Sequence, residues 1–142
     1  MSTVKFQIGE FIFDDTTDCF ETSLTSLGKD HPISICDVEK EDFDSATILG
    51  FKLKHWLEGN LDNAKDYAAS KLLALKNEHW LEPRQKALSR SDFVAAMDFD
   101  GVNGFSDGGF EIYFVDGDLF FGHTIVVDVT ETFEFEDARI VG

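Results

Sequence analysis

The hydrophobic period changes twice along this chain, and that change limits the folds open to it. Residues 3–13 alternate, with Val4, Phe6 and Ile8 facing one way before Gly9-Glu10 shift the phase to Phe11 and Phe13. Alternation marks a strand with one buried face, and a glycine at a phase shift signals a bulge or turn. In the middle the spacing lengthens: Leu61, Ala64, Ala68, Leu72 and Leu75 fall on one helical stripe. After residue 110 the chain reads as strand again. Clustered strands, then helices, then clustered strands predict an α+β fold, one domain over residues 1–142, rather than alternating βαβ units.

Local chemistry places the boundaries. Asp14-Asp15-Thr16-Thr17-Asp18 is turn sequence, and residues 20–27 and 33–36 are strand candidates, giving an N-terminal β-meander. Two to three central helices are expected. The first carries Phe43, Thr47, Gly50 or Phe51, Lys54 and Leu57 and closes at Gly59. Asn60 caps a second, which stops before Pro83, and Ser89-Arg90-Ser91-Asp92 opens a short third through a capping box. Residues 98–109 form a loop or a ragged strand pair. Strands at 110–115 and 119–129 are expected to meet across an Asp116-Gly117 type I′ hairpin, with a last strand at 132–141.

Charge narrows the function classes. The formal net charge is −16 in 142 residues, yet 43% of the chain is hydrophobic, with 15 Phe, enough for a packed core. Residues 1–47 hold 11 acids against 3 bases, residues 48–90 hold 5 against 8, and residues 91–142 hold 12 against a single base, Arg139. Such a chain opposes phosphate contacts, so nucleic acid is not an expected partner. No apolar run has the length of a membrane span, and the start lacks the basic and apolar regions of a signal peptide. A cytoplasmic protein is expected, with Cys19 and Cys36 reduced and serving as small apolar residues.

The residues that could carry chemistry are few. His31, His55, His79 and His123 are scattered without ligand spacing, and no metal site or cofactor is expected. Asp98-Phe99-Asp100-Gly101-Val102-Asn103-Gly104 fails as a calcium loop, because Val102 and Asn103 stand where an oxygen ligand and the turn glycine belong. No nucleophile motif or phosphate loop is present. His123 sits in an apolar strand and could act as a general base with a nearby Asp. Of Phe120-Phe121, adjacent on a strand, one faces away from the other, and an exposed one would be a contact residue.

The run Phe110-Glu111-Ile112-Tyr113-Phe114-Val115-Asp116-Gly117-Asp118-Leu119-Phe120-Phe121-Gly122-His123-Thr124-Ile125 resembles the signature of a bacterial domain-of-unknown-function family, number 2262. So do the helix ending Asn77-Glu78-His79-Trp80, the following Ser91-Asp92-Phe93 and the terminal Ala138-Arg139-Ile140-Val141-Gly142. The resemblance spans residues 43–142. It implies a small, often stand-alone protein, some members belonging to toxin–immunity systems, and it transfers no catalytic residue.

Charge and resemblance together give the expected function: an immunity or antitoxin-type protein that neutralises a basic toxin domain, such as a nuclease, by steering and blocking. The contact residues expected are Asp98, Asp100, Asp107, Asp116 and Asp118, with Asp14, Asp15 and Asp18 as a second patch. The alternatives are a small enzyme or ligand-binding domain using His123, and a non-catalytic structural or regulatory module. The oligomeric state is open.

Overall fold

The computed structural model describes residues 4–142. Thr3, where the first alternating segment begins, and the first three residues of the stretch read for a leader lie outside them. Eight strands form one mixed sheet: β1 (Gln7–Ile8), β2 (Ile12–Asp14), β3 (Cys19–Ser26), β4 (Lys29–Cys36), β5 (Asp98–Phe105), β6 (Phe110–Val115), β7 (Thr124–Val129) and β8 (Phe135–Val141). Two helices, α1 (Phe43–His79) and α2 (Arg90–Ala96), lie in the connection between β4 and β5. This is the expected α+β class. The order is β1-β3-β4-β5-β6-β7-β8, with β2 also on β3, and only β4 and β5 run parallel. A parallel pair needs a long crossover, which the helices supply. β1 and β2 together make one interrupted edge strand. The break falls at the Gly9 phase shift, where the Gly9 N–H still reaches the Ser23 carbonyl at 2.9 Å.

α1 is a single 37-residue helix, about 55 Å long at 1.5 Å per residue. The expected break at Gly59-Asn60 is absent. The Asn60 side chain turns back to donate to the Trp56 carbonyl at 2.8 Å, so it does not cap a new helix. The buried stripe runs through Ala46, Gly50, Leu53, Leu57, Leu61, Ala64, Ala68 and Leu72. It then leaves the expected phase: Leu75 is exposed and Lys76 is buried, because the chain returning through residues 80–89 covers that side. Gly50, not Phe51, faces inward, since a Cβ there would lie 2.1 Å from the Phe11 ring. α2 opens with the expected capping box of Ser89 and Asp92.

The sheet wraps α1 from both edges. From the first edge, the Val4 N–H bonds the Glu58 carbonyl and the Phe6 N–H bonds the Glu58 carboxylate at 2.9 Å. From the last edge, Phe133 and Phe135 pack on Trp56, and Phe135 stacks on Tyr67. Between them Phe20, Ile33, Ile35, Ile112, Phe114, Ile125 and Val127 fill the helix-facing side.

Two turns differ from expectation. The tight hairpin with both φ positive is Leu27-Gly28 (φ 53° and 75°), so residues 29–32 extend β4; Gly117-Asp118 make a like turn, closed by the Leu119 N–H on the Asp116 carbonyl at 3.0 Å, but inside a longer loop. The β6–β7 connection has eight residues, 116–123, between the paired Val115 and Thr124, in place of a tight Asp-Gly hairpin. The cysteines also depart from expectation. Cys19 and Cys36 face each other across β3 and β4, with Cα atoms 4.5 Å apart, and form a disulfide. Their pairing follows from the turn: each lies eight residues from it, on opposite strands.

Candidate binding surfaces and the Asp116 loop

The loop at residues 116–123 is built around one carboxylate. Asp116 is 1% exposed, and its oxygens accept the N–H groups of Asp118 (2.9 Å), Phe120 (2.9 Å), Gly122 (3.2 Å) and His123 (3.0 Å). A buried carboxylate is tolerated when donors converge on it in this way. Four residues of the loop are left-handed: Gly117, Asp118, Phe121 and Gly122. At Gly117 a Cβ would stand 2.2 Å from the Ala96 carbonyl oxygen, so no other residue fits that turn. Asp116 therefore organises the loop and leaves the partner-facing set.

The loop sorts the two adjacent phenylalanines. Phe120 is fully buried against Trp80 and Phe93, while Phe121 is 51% exposed at φ 60°, a strained conformation for a bulky side chain. The Phe121 ring lies 5.4 Å from Trp80 and 5.5 Å from the Lys76 ammonium, which donates to the Trp80 carbonyl at 2.6 Å. The His123 ring sits edge-on to Trp80, with Nδ1 hydrogen-bonded to the Phe120 carbonyl. A carbonyl only accepts, so Nδ1 carries the proton and Nε2 is the basic nitrogen. Asp116, in the same loop, bonds the His123 backbone and not its ring.

The expected acidic patch divides between the ends of the sheet. Asp98, Asp100 and Asp118 are exposed at the end where β5 starts and β6 finishes. Asp107 lies in the turn after β5, about 25 Å away along an eight-residue strand. There it joins the second candidate patch. β3 starts, β4 ends, β5 ends and β7 ends at this rim, and α1 begins here, with Phe43 in ring contact with Phe20. Asp15 and Asp18 of the β2–β3 turn, Asp37, Glu39, Glu41 and Asp42 before α1, Asp107, and Glu131 and Glu134 of the β7–β8 turn are all exposed along it. Asp14 is half-buried, its Oδ1 accepting the Thr16 N–H at 2.8 Å. Adjacency is direct at two points: Lys40 bonds Asp15 at 3.1 Å, and a Cβ on Gly108 would be 3.0 Å from the Glu131 Cβ.

The side of the sheet away from α1 holds a polar network that sequence reading missed. Arg139 on β8 donates to Glu111 on β6 at 2.6 Å and to both carboxylate oxygens of Asp128 on β7 at 3.1 and 3.2 Å. Tyr113 donates to Glu111 at 2.7 Å. Burial, then the Glu111 carboxylate, pushes the Tyr113 hydroxyl up to about 12. The available signal was alternation: Glu111 and Tyr113 share a face, and register places Asp128 beside Glu111 and Arg139 beside Val126. The single base of the last 52 residues is thereby neutralised within the fold. Among the described residues no helix is long and apolar enough to cross a membrane.

A family model described as "Uncharacterized protein conserved in bacteria", the domain-of-unknown-function family 2262, matches residues 5–140. No curated protein and no solved structure matches the chain.

Proposed function

We propose, for a chain that belongs to this bacterial family 2262, a binding function: an immunity or antitoxin-type protein whose acidic rim receives the basic surface of a toxin domain. The observation that carries the reading is the convergence of exposed carboxylates from residues 15–42 and from residues 107–134 at one end of the sheet, where Lys40 is already paired to Asp15 and Lys52 lies against the Phe133 ring. A field of one sign raises the encounter rate of a cationic partner and orients it, and the closely spaced turns give it a surface to block. The contact set then becomes Asp15, Asp18, Asp37, Asp107 and Glu131.

Co-expression with the basic domain encoded beside it is the test. Growth is rescued, and the association rate falls about tenfold or more from low to high salt, as screening shortens the Debye length to a few ångströms. Tight binding with a salt-independent rate overturns the electrostatic reading.

A second reading, a small enzyme or ligand-binding domain, draws on His123. Its Nδ1 is committed to the Phe120 carbonyl, which leaves Nε2 as the group able to take a proton. Asp116 gives that ring no carboxylate partner. His123→Asn abolishes ligand binding or turnover if this reading holds and leaves toxin neutralisation intact if the first one does.

A further inference from the structure

A cleft of about 510 Å³ opens where the two edges of the curled sheet approach each other over the outer face of α1. Lys5 enters from the first edge and Phe133 from the last, and Lys52, His55, Trp56 and Gly59 of α1 lie between. Its charge is opposite to that of the whole chain. Lys5 and Lys52 have no carboxylate within 4 Å among the described residues, and the neighbouring Lys54 is ion-paired to Glu58. The one acid in the cleft, Glu58, is already engaged: Oε2 accepts the Phe6 N–H at 2.9 Å, and Lys54 sits 3.3 Å from both oxygens.

The apolar wall is equally defined. Trp56 and Phe133 stack within 10° of parallel, with centroids 5.8 Å apart. Phe133 is held at φ 64°, a left-handed conformation unfavourable for an aromatic residue, by a turn whose Phe133 N–H bonds the Thr130 carbonyl at 2.9 Å. The Lys52 ammonium stands 5.2 Å from the Phe133 ring. Gly59 adds an independent sign. Glycine is a poor helix former, yet this one sits inside α1 without a positive φ, and a Cβ on it would meet nothing within 4 Å. Neither packing nor backbone geometry calls for glycine here; its effect is to leave the cleft open.

We propose that this cleft binds a small organic anion in which a phosphate or carboxylate is carried on a flat apolar body, the anionic group against Lys5, Lys52 and His55 and the body against Trp56 and Phe133. A volume of this size suits such a ligand, and unpaired cations beside rings supply both halves of its recognition. The site shares the β7–β8 turn with the acidic rim but uses none of its carboxylates, so its failure would leave that reading untouched.

Calorimetric titration of the full chain with phenyl phosphate, benzoate, inorganic phosphate and benzyl alcohol tests it. Saturable binding is expected for phenyl phosphate, benzoate or both, the pair reporting which anionic group is preferred. Inorganic phosphate and benzyl alcohol should bind at least about tenfold more weakly, since each offers one half of the ligand. Lys52→Gln should weaken binding about tenfold or more, and Gly59→Leu should abolish it. Gly59→Ala, which adds no bulk across the cleft, should retain binding and melt no lower than the parent. Trp56 fluorescence in a Trp80→Phe background gives a second readout. No saturation below about 10 mM, inorganic phosphate binding as tightly as phenyl phosphate, or unchanged affinity in both Lys52→Gln and Gly59→Leu overturns the proposal.

Discussion

Asp116 shows how much one side chain can determine. Four backbone N–H groups end on its two oxygens, and the left-handed Phe121 and Gly122 lie within the stretch they gather. Asp116→Ala orphans all four donors in a part-buried loop and should cost about 3 kcal/mol or more, because lost bonds to a charged acceptor and unsatisfied N–H groups act together. Chemical denaturation measures it; a loss under about 1 kcal/mol would mean the loop is held by its rings alone. Sequence alone could not assign this role. Asp-Gly between apolar runs reads as a tight hairpin, and an acid next to a glycine reads as exposed. Only the later N–H groups, up to seven residues on, make Asp116 an internal ligand. Phe121 was legible as a choice between two residues, and the loop's path decides it.

At the scale of elements, α1 and the β3–β4 pair separate what periodicity carries from what it does not. The stripe through Leu61, Ala64, Ala68 and Leu72 was legible because each residue repeats one packing environment. The first half of α1 was not, because Gly50 is buried for lack of a side chain and Phe51 is exposed despite having one. The expected break at Gly59 failed because a glycine's meaning depends on its surroundings, and here the surroundings are a cleft. Register decides the cysteines. Once the turn is placed at Leu27-Gly28, Cys19 and Cys36 are opposite each other and no freedom remains. Protein purified without reductant and then denatured should show no free thiol, in contrast to the reduced cysteines of the cytoplasmic expectation. Reduction should lower stability by about 3 kcal/mol, the loop-closure value for a bridge spanning a separation of 17 residues. Two thiols per chain in the thiol count would contradict the pairing. The network on the open side of the sheet makes an alkaline prediction. The Tyr113 hydroxyl, raised by burial and by Glu111, stays protonated in the folded chain well past the usual range. Its stabilising contribution is complete below pH 10 and lost as pH rises through about 12. Absorbance titration at the phenolate band should show the native protein ionising late and the unfolded chain ionising near pH 10, and coincident curves would refute it.

For the molecule as a whole, the acidic rim sets stability against recognition. Sequence established the charge and its segregation into two terminal blocks, but not their convergence. Whether Asp15 and Glu131 share a surface depends on which strand ends coincide, and that is a property of the topology. Like charges crowded along turns repel one another in the folded state, so the rim costs stability that a merely solubilising surface could avoid by dispersal. Charge reversal at single rim positions should expose this. Glu41→Lys and Glu131→Lys place a cation among carboxylates, and both residues are exposed with ordinary backbone geometry. The expected result is an unchanged or higher melting temperature together with slower association with the cationic partner, each reversal affecting on-rate more than off-rate. Asp98→Lys, at the opposite end of the sheet, is the control and should leave the on-rate nearly unchanged once salt screens beyond about 10 Å. If reversal at Asp98 slows association as much as reversal at Glu131, the net charge steers the partner and the rim has no privileged part. If the rim variants instead melt at lower temperature, their carboxylates serve the fold, and the trade between stability and binding does not exist.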